Sequence, residues 1–129
     1  MKNVSAPRLK RLVDRFAGKR ILVVGDLMLD EYIWGQVSRI SPEAPIPVVH
    51  VRRENAMPGG AANVANNLRA LGGGVVLAGI VGDDPTADRL ISLLHRERVK
   101  TPLVLRDASR PTVTKTRVIA HNQQVVRID

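Results

Sequence analysis

A glycine pair followed by small residues, Gly59-Gly60-Ala61-Ala62-Asn63, constrains this chain more than any other segment. Val48 to Arg52 reads as a strand ending near Met57-Pro58, and a small-residue helix then opens on the glycines. Its apolar positions recur as Ala61, Val64, Ala65, Leu68 and Leu71, the spacing of one helical face. Glycines at a helix start let backbone come close to a ligand, and the free N–H groups of the first turn point at it. Asn63 adds a side chain with both a donor and an acceptor, which suits a polyhydroxylated ligand. A plain glycine turn ahead of a packing helix fits the same five residues. The later glycines, Gly72 and Gly82, narrow the choice.

Around this segment the apolar period alternates between strand and helix. Ile21 to Val24 is a continuous apolar run ending at Gly25, the pattern of a parallel strand buried on both faces, and Val75 to Ile80 is a second. Asp84-Pro85 opens a helix with an N-cap and a proline at the first helical position, its apolar face being Ala87, Leu90, Ile91 and Leu94. Another strand follows at Leu103 to Leu105. The alternation predicts a three-layer α/β fold with a mostly parallel sheet.

Two segments break the rhythm. Glu31 to Val37 and Val48 to Arg52 flank a loop with prolines at 42, 45 and 47, and Thr112 to Ala120 and Val125 to Ile128 flank a polar turn at His121-Asn122. Both read as antiparallel pairs rather than βαβ units. Tyr32 and Trp34 fall on one face of a strand, so two of the three aromatics lie together.

The Gly pair, Asn63, Ala65, Gly72 and Gly82 together resemble the first signature of the ribokinase-like carbohydrate kinases, the phosphofructokinase B family, and the resemblance runs from about Lys19 to Asp129. It implies a Rossmann-like ribokinase fold with a projecting β-sheet lid, formed here by residues of about 31–52 and 112–129. Asp30 matches the family's aspartate that accepts hydrogen bonds from sugar hydroxyls, and Gly59, Gly60 and Asn63 its sugar-binding segment. Asp26 lies just past the end of the first strand, where open α/β sheets place ligands, although a turn-forming role fits it equally.

The lid segments resemble one branch of that family more closely. Ser38 to Val48, Gly25 to Asp30, Thr114 to Arg117 and Asn122 to Gln124 are similar to the kinases of D-glycero-D-manno-heptose 7-phosphate, which act at the anomeric hydroxyl in ADP-heptose and lipopolysaccharide core synthesis. A sugar that already bears a phosphate needs a cation, and Arg39, Lys115 and Arg117 are the candidates, with Lys115 and Arg117 on one strand face. Gln123 is a further sugar contact or a turn former. With Tyr32 and Trp34, Arg39 belongs to the lid. The family's catalytic aspartate sits in a Gly-Ala-Gly-Asp motif, which does not occur in this sequence. The expectation is therefore the N-terminal part of a single kinase domain, with the base, ATP and Mg2+ held beyond Asp129 and no catalysis by the chain alone. The resemblance also implies a homodimer through the lid. Another sugar kinase of the family, of ribokinase or fructokinase type, and a non-catalytic sugar-binding or dimerising module are the alternatives.

Composition bounds the partners. The net charge of +8 invites nucleic acid, but three aromatics are too few for a base-stacking platform. Arg8, Lys10, Arg11, Arg15, Lys19 and Arg20 are the solvated side of an amphipathic helix whose apolar stripe is Leu9, Leu12, Val13 and Phe16. No apolar run reaches the length of a membrane span. The absence of cysteine leaves no thiolate metal site and favours a reducing, cytoplasmic setting. His50, His95 and His121 have no metal-ligand spacing. No Gly-x-Gly-x-x-Gly follows the first strand, and Gly18-Lys19 lacks the context of a phosphate-binding P-loop.

Overall fold

The computed structural model describes residues 5–129. Helix α1 (Ala6–Asp14) leads into strand β1 (Arg20–Val24). Two long strands follow, β2 (Leu27–Ile40) and β3 (Pro47–Gly60), and β3 runs directly into helix α2 (Ala61–Ala70). Strand β4 (Gly74–Gly82), helix α3 (Pro85–Arg96) and strand β5 (Lys100–Asp107) come next. The last elements are β6 (Val113–Ala120) and β7 (Gln123–Ile128).

The strands sort into two sheets. Strands β1, β4 and β5 form a parallel sheet in the order β1-β4-β5. The other four form the projecting sheet in the order β3-β2-β6-β7. Its outer pairs are antiparallel, as the sequence predicts, and its centre is a parallel pairing of β2 with β6. Strand β3 continues past Pro58, beyond the predicted stop. It lies at the sheet edge, where a residue without an N–H is tolerated. The turn between β6 and β7 places His121 and Asn122 at φ 50° and 62°, the left-handed pair that a two-residue hairpin requires.

The core lies where the two sheets meet. Leu27 and Leu29, the first inward residues of β2, are buried with Val75, Leu77 and Val81 of β4 and with Ala87, Leu90 and Leu94 of α3. Helix α2 contributes Ala62 and Ala65, whereas Val64 and Leu71, expected on its packed face, are half-exposed. The cause is the close seat of the helix start: a β-carbon at Gly25 would lie only 3.1 Å from Cβ of Ala61. At that separation only small side chains fit at the helix start, and a turn further on Leu68 packs against the core. Of the three expected layers, the described residues supply the sheet and one helical layer. Leu22, Val24, Ile80, Leu103 and Leu105, on the other face of the small sheet, are exposed. Leu9, Leu12, Val13 and Phe16 of the N-terminal stripe are also about half-exposed.

One polar knot ties α3 to the projecting sheet. Asp84 Oδ1 accepts the Ala87 N–H at 2.8 Å, the predicted cap, while Oδ2 accepts the Thr112 N–H at 2.7 Å. Thr112 Oγ1 in turn accepts the Gly82 N–H at 2.9 Å. These donors, Thr112 first, hold the Asp84 carboxyl below the ordinary carboxylate range. A carboxyl lowered in the folded state stabilises the fold above its unfolded pKa, and that contribution is lost as pH falls through the folded value. The chain is expected to lose stability below about pH 4. Asp84→Asn is expected to flatten that acid limb in urea melts followed by circular dichroism across pH.

Candidate functional site

Strand β1 delivers Gly25 and Asp26 to the carboxyl edge of the parallel sheet. A cleft of about 500 Å³ opens there, lined by Gly25, Asp26, Met28, Gly79, Arg110 and Val113 among others. Met28 and Val113 are register partners of β2 and β6, and side chains two positions on share their face. Asp30 beside Lys115, Tyr32 beside Arg117 and Trp34 beside Ile119 therefore rise from the cleft wall up one face of the projecting sheet.

Asp30 is the most constrained member of this row. Arg117 Nη1 donates to its Oδ1 at 2.8 Å, and the two side chains are only 22% and 18% exposed, arginine first. That hydrogen bond raises the guanidinium pKa further above its ordinary value. A β-carbon at position 59 would lie 2.7 Å from Asp30 Oδ2, so glycine there leaves the carboxylate its place. Gly60 has φ +55°, and a β-carbon on it would lie 2.5 Å from the Asp26 carbonyl oxygen. That oxygen accepts the Ala61 N–H at 2.9 Å. The glycine pair thus serves close backbone approach beside the cleft.

The aromatic pair is stacked, as its shared face predicts, with ring centroids 5.5 Å apart and planes 19° from parallel. The Arg53 guanidinium carbon lies 4.0 Å from the Trp34 ring centroid, and that of Arg117 lies 5.2 Å from that of Tyr32. The rings are therefore occupied by each other and by cations, which argues against a sugar stacked on the face of Trp34.

The remaining predicted residues divide. Asp26 and Asn63 are exposed beside the cleft and on the first turn of α2 respectively, and Lys115 is half-buried next to Asp30. Among the described residues Lys115 and Arg110 form no ion pair. Arg39 and Gln123 are not brought to this group. Arg39 lies nine residues beyond Asp30 along β2, about 30 Å at ~3.3 Å per residue, and Gln123 pairs with Ala120 at the outer end of β6. Strand direction alone places both at the tip. Sequence reasoning missed Arg53 and Arg110. Arg53 becomes visible once the hairpin register sets it opposite Trp34. Arg110 sits in an irregular loop, held by Ser109 and Arg110 N–H bonds to Asp107, with no periodic signal.

On the opposite face of β2, Glu31 accepts from Arg89 of α3 at 2.8 Å and from Thr116 of β6 at 3.1 Å, fixing the root of the projecting sheet to the helical layer. Gly60→Ala is expected to cost about 1–3 kcal/mol through its left-handed backbone and the clash with Asp26, read as a lower urea midpoint. Gly59→Ala is expected to weaken ligand binding more than stability, because the methyl group meets the Asp30 carboxylate.

Residues 19–129 match the model of the pfkB family carbohydrate kinases. The chain is 53% identical over 111 residues to the bifunctional protein HldE of Helicobacter pylori, covering 86% of this chain and 24% of that protein. It is 54% identical over 114 residues to the HldE of Magnetococcus marinus, covering 88% and 23%. The chain thus spans about a quarter of the length of these curated relatives. Among solved structures, phosphofructokinase-2 from Escherichia coli in complex with substrates and products superposes with a TM-score of 0.68 at 24% identity, covering 85% of this chain and 34% of that one. Fructokinase with bound ATP from Xylella fastidiosa gives 0.62 at 24% identity, covering 86% and 33%. At such identities the likeness is one of fold.

Proposed function

The chain belongs to the pfkB family of carbohydrate kinases, and on that premise we propose that it carries the sugar-recognition part of a kinase for D-glycero-D-manno-heptose 7-phosphate. The reaction transfers a phosphoryl group from ATP to the anomeric hydroxyl and yields the 1,7-bisphosphate, on the route to ADP-heptose and the lipopolysaccharide core. The observation that carries this reading is one continuous face: Asp30, Lys115 and Arg117 rise from the cleft wall beside the Gly59-Gly60 pair. Identity above one half to proteins named HldE supports the choice of sugar.

In this reading the free acceptor sites of Asp30 take sugar hydroxyls, and Gly59 and Gly60 let the ring approach the backbone. Asn63 and Asp26 supply further polar contacts at the cleft edge. Lys115 and Arg110 form no ion pair among the described residues and are free to meet the phosphate, whereas Arg117 is held against Asp30. The proline-rich loop at 41–46, tied by the Ser41 N–H to Ile46 carbonyl bond at 2.8 Å, presents a pre-ordered lid tip, which lowers the cost of closing over sugar. ATP and Mg2+ supply the phosphoryl group and its charge neutralisation, and the base and the nucleotide contacts belong to residues not contained in this sequence. The chain alone then binds sugar and does not catalyse. A cytoplasmic homodimer paired through the lid completes the proposal, and the exposed Val51, Val125 and Val126 of the projecting sheet suit such a contact.

Calorimetric titration tests the reading. The chain is expected to bind the heptose 7-phosphate in preference to ribose and fructose. Asp30→Asn is expected to weaken binding roughly 10- to 100-fold, the scale of a lost charged hydrogen bond. Equal binding of all three sugars would refute the assignment.

A further inference from the structure

The cation nearest Asp30 has a role that its charge alone does not reveal. Arg117 donates to Asp30 Oδ1 at 2.8 Å and lies over Tyr32, which stacks on Trp34, which is capped by Arg53. The five side chains come from three strands, β2, β3 and β6, and occupy one sheet face. Across the pairing with β7, Arg117 faces Arg127, itself paired with Asp129; Asp129 attracts Arg117 only at longer range, and Asp30 is the carboxylate that holds it by a hydrogen bond among the described residues. Asp30 Oδ2 is confined on its other side by the Gly59 backbone.

We propose that Arg117 is a positioning residue: the Arg53-Trp34-Tyr32 stack holds its guanidinium, and the guanidinium aims the Asp30 carboxylate at sugar hydroxyls. This rests on the sugar-kinase reading for its ligand. The bond to Asp30 and the seat over the Tyr32 ring fix the guanidinium against the carboxylate, whereas Lys115 next to it forms no ion pair among the described residues and is the cation left to a substrate phosphate. Loss of Arg117 therefore weakens the sugar through its hydroxyls and leaves the contribution of the phosphate unchanged.

Trp34 is the one tryptophan of the chain, so its emission reports on this stack directly. Two measurements test the proposal. In the first, calorimetry compares the heptose 7-phosphate with unphosphorylated heptose. Arg117→Met is expected to weaken both about tenfold with their ratio unchanged, and Arg117→Lys to restore binding only in part. Loss confined to the phosphorylated sugar would overturn the proposal and make Arg117 a phosphate ligand, and unchanged affinities would overturn it as well. The second measurement needs no ligand. Asp30→Asn is expected to shift Trp34 emission, and the same change made in an Arg117→Met background to leave it unmoved. An Asp30→Asn variant with unshifted emission, or an equal shift in both backgrounds, would overturn the coupling. Because this cycle uses no sugar, it remains decisive if the wild-type chain binds neither heptose, a result that would count against the kinase reading alone.

Discussion

The hydrogen bond from the Ala61 N–H to the Asp26 carbonyl, 2.9 Å long, joins the start of a helix to the turn between the two sheets. It forms only because Gly60 adopts φ +55° and presents no side chain to that carbonyl. Three consequences follow from this single approach. Strand β3 can run without a loop into α2, and the first turn of α2 comes to lie beside the cleft. Ala61 sits against Gly25, which selects Ala62 and Ala65 as the buried residues of the helix. Strand β2 is then committed to start in the core, with Leu27 and Leu29 buried, before it leaves the body as the central strand of the projecting sheet.

Much of this was legible in the sequence, and the limits have physical causes. The α3 cap was readable because Asp84 and Pro85 act locally, and the two hairpins because turn residues separate β-rich runs. The face shared by Tyr32, Trp34 and Asp30 follows from a period of two. The parallel junction of β2 with β6 was not readable, since nothing local to either strand encodes a partner so distant. The engagement of Arg117 was hidden for the same reason: strand spacing places it beside Lys115, and only the register with β2 gives it to Asp30. Val64 and Leu71 show the opposite failure. A periodic stripe identifies a helix but cannot say how closely it seats, and close seating here favours alanine.

Consecutive residues on β2 serve opposite faces. Asp30 points into the row above the cleft, while Glu31 binds Arg89 of α3 and Thr116 of β6 behind it. The helix is tied onward to β5 through Arg106, which pairs with Asp83 and Asp88. The root of the projecting sheet is thus braced by charged contacts that are individually weak at an exposed surface, but they share elements and act on one strand. The tip, by contrast, is held by hairpin pairing, by local turn bonds such as Ser41 to Ile46, and by the contact of His121 Nε2 with the Val37 carbonyl, with exposed apolar residues at Ile40 and Ile46. Such an arrangement keeps Asp30 fixed relative to the cleft, with the charged bracing concentrated at the root of the sheet.

The pairing of β2 with β6 also governs when the site can come into being. Asp30 and Arg117 are separated by 87 positions, with two complete strand–helix units between them. Closing so long a loop is entropically costly until the intervening units have folded, and contacts of this kind form late. During vectorial synthesis the β2–β3 hairpin emerges early with one edge of β2 unpaired and waits for β6 to arrive. The recognition face therefore assembles only once β6 has emerged, and until then a nascent chain exposes an open edge of β2, the interval in which pairing with another chain is easiest.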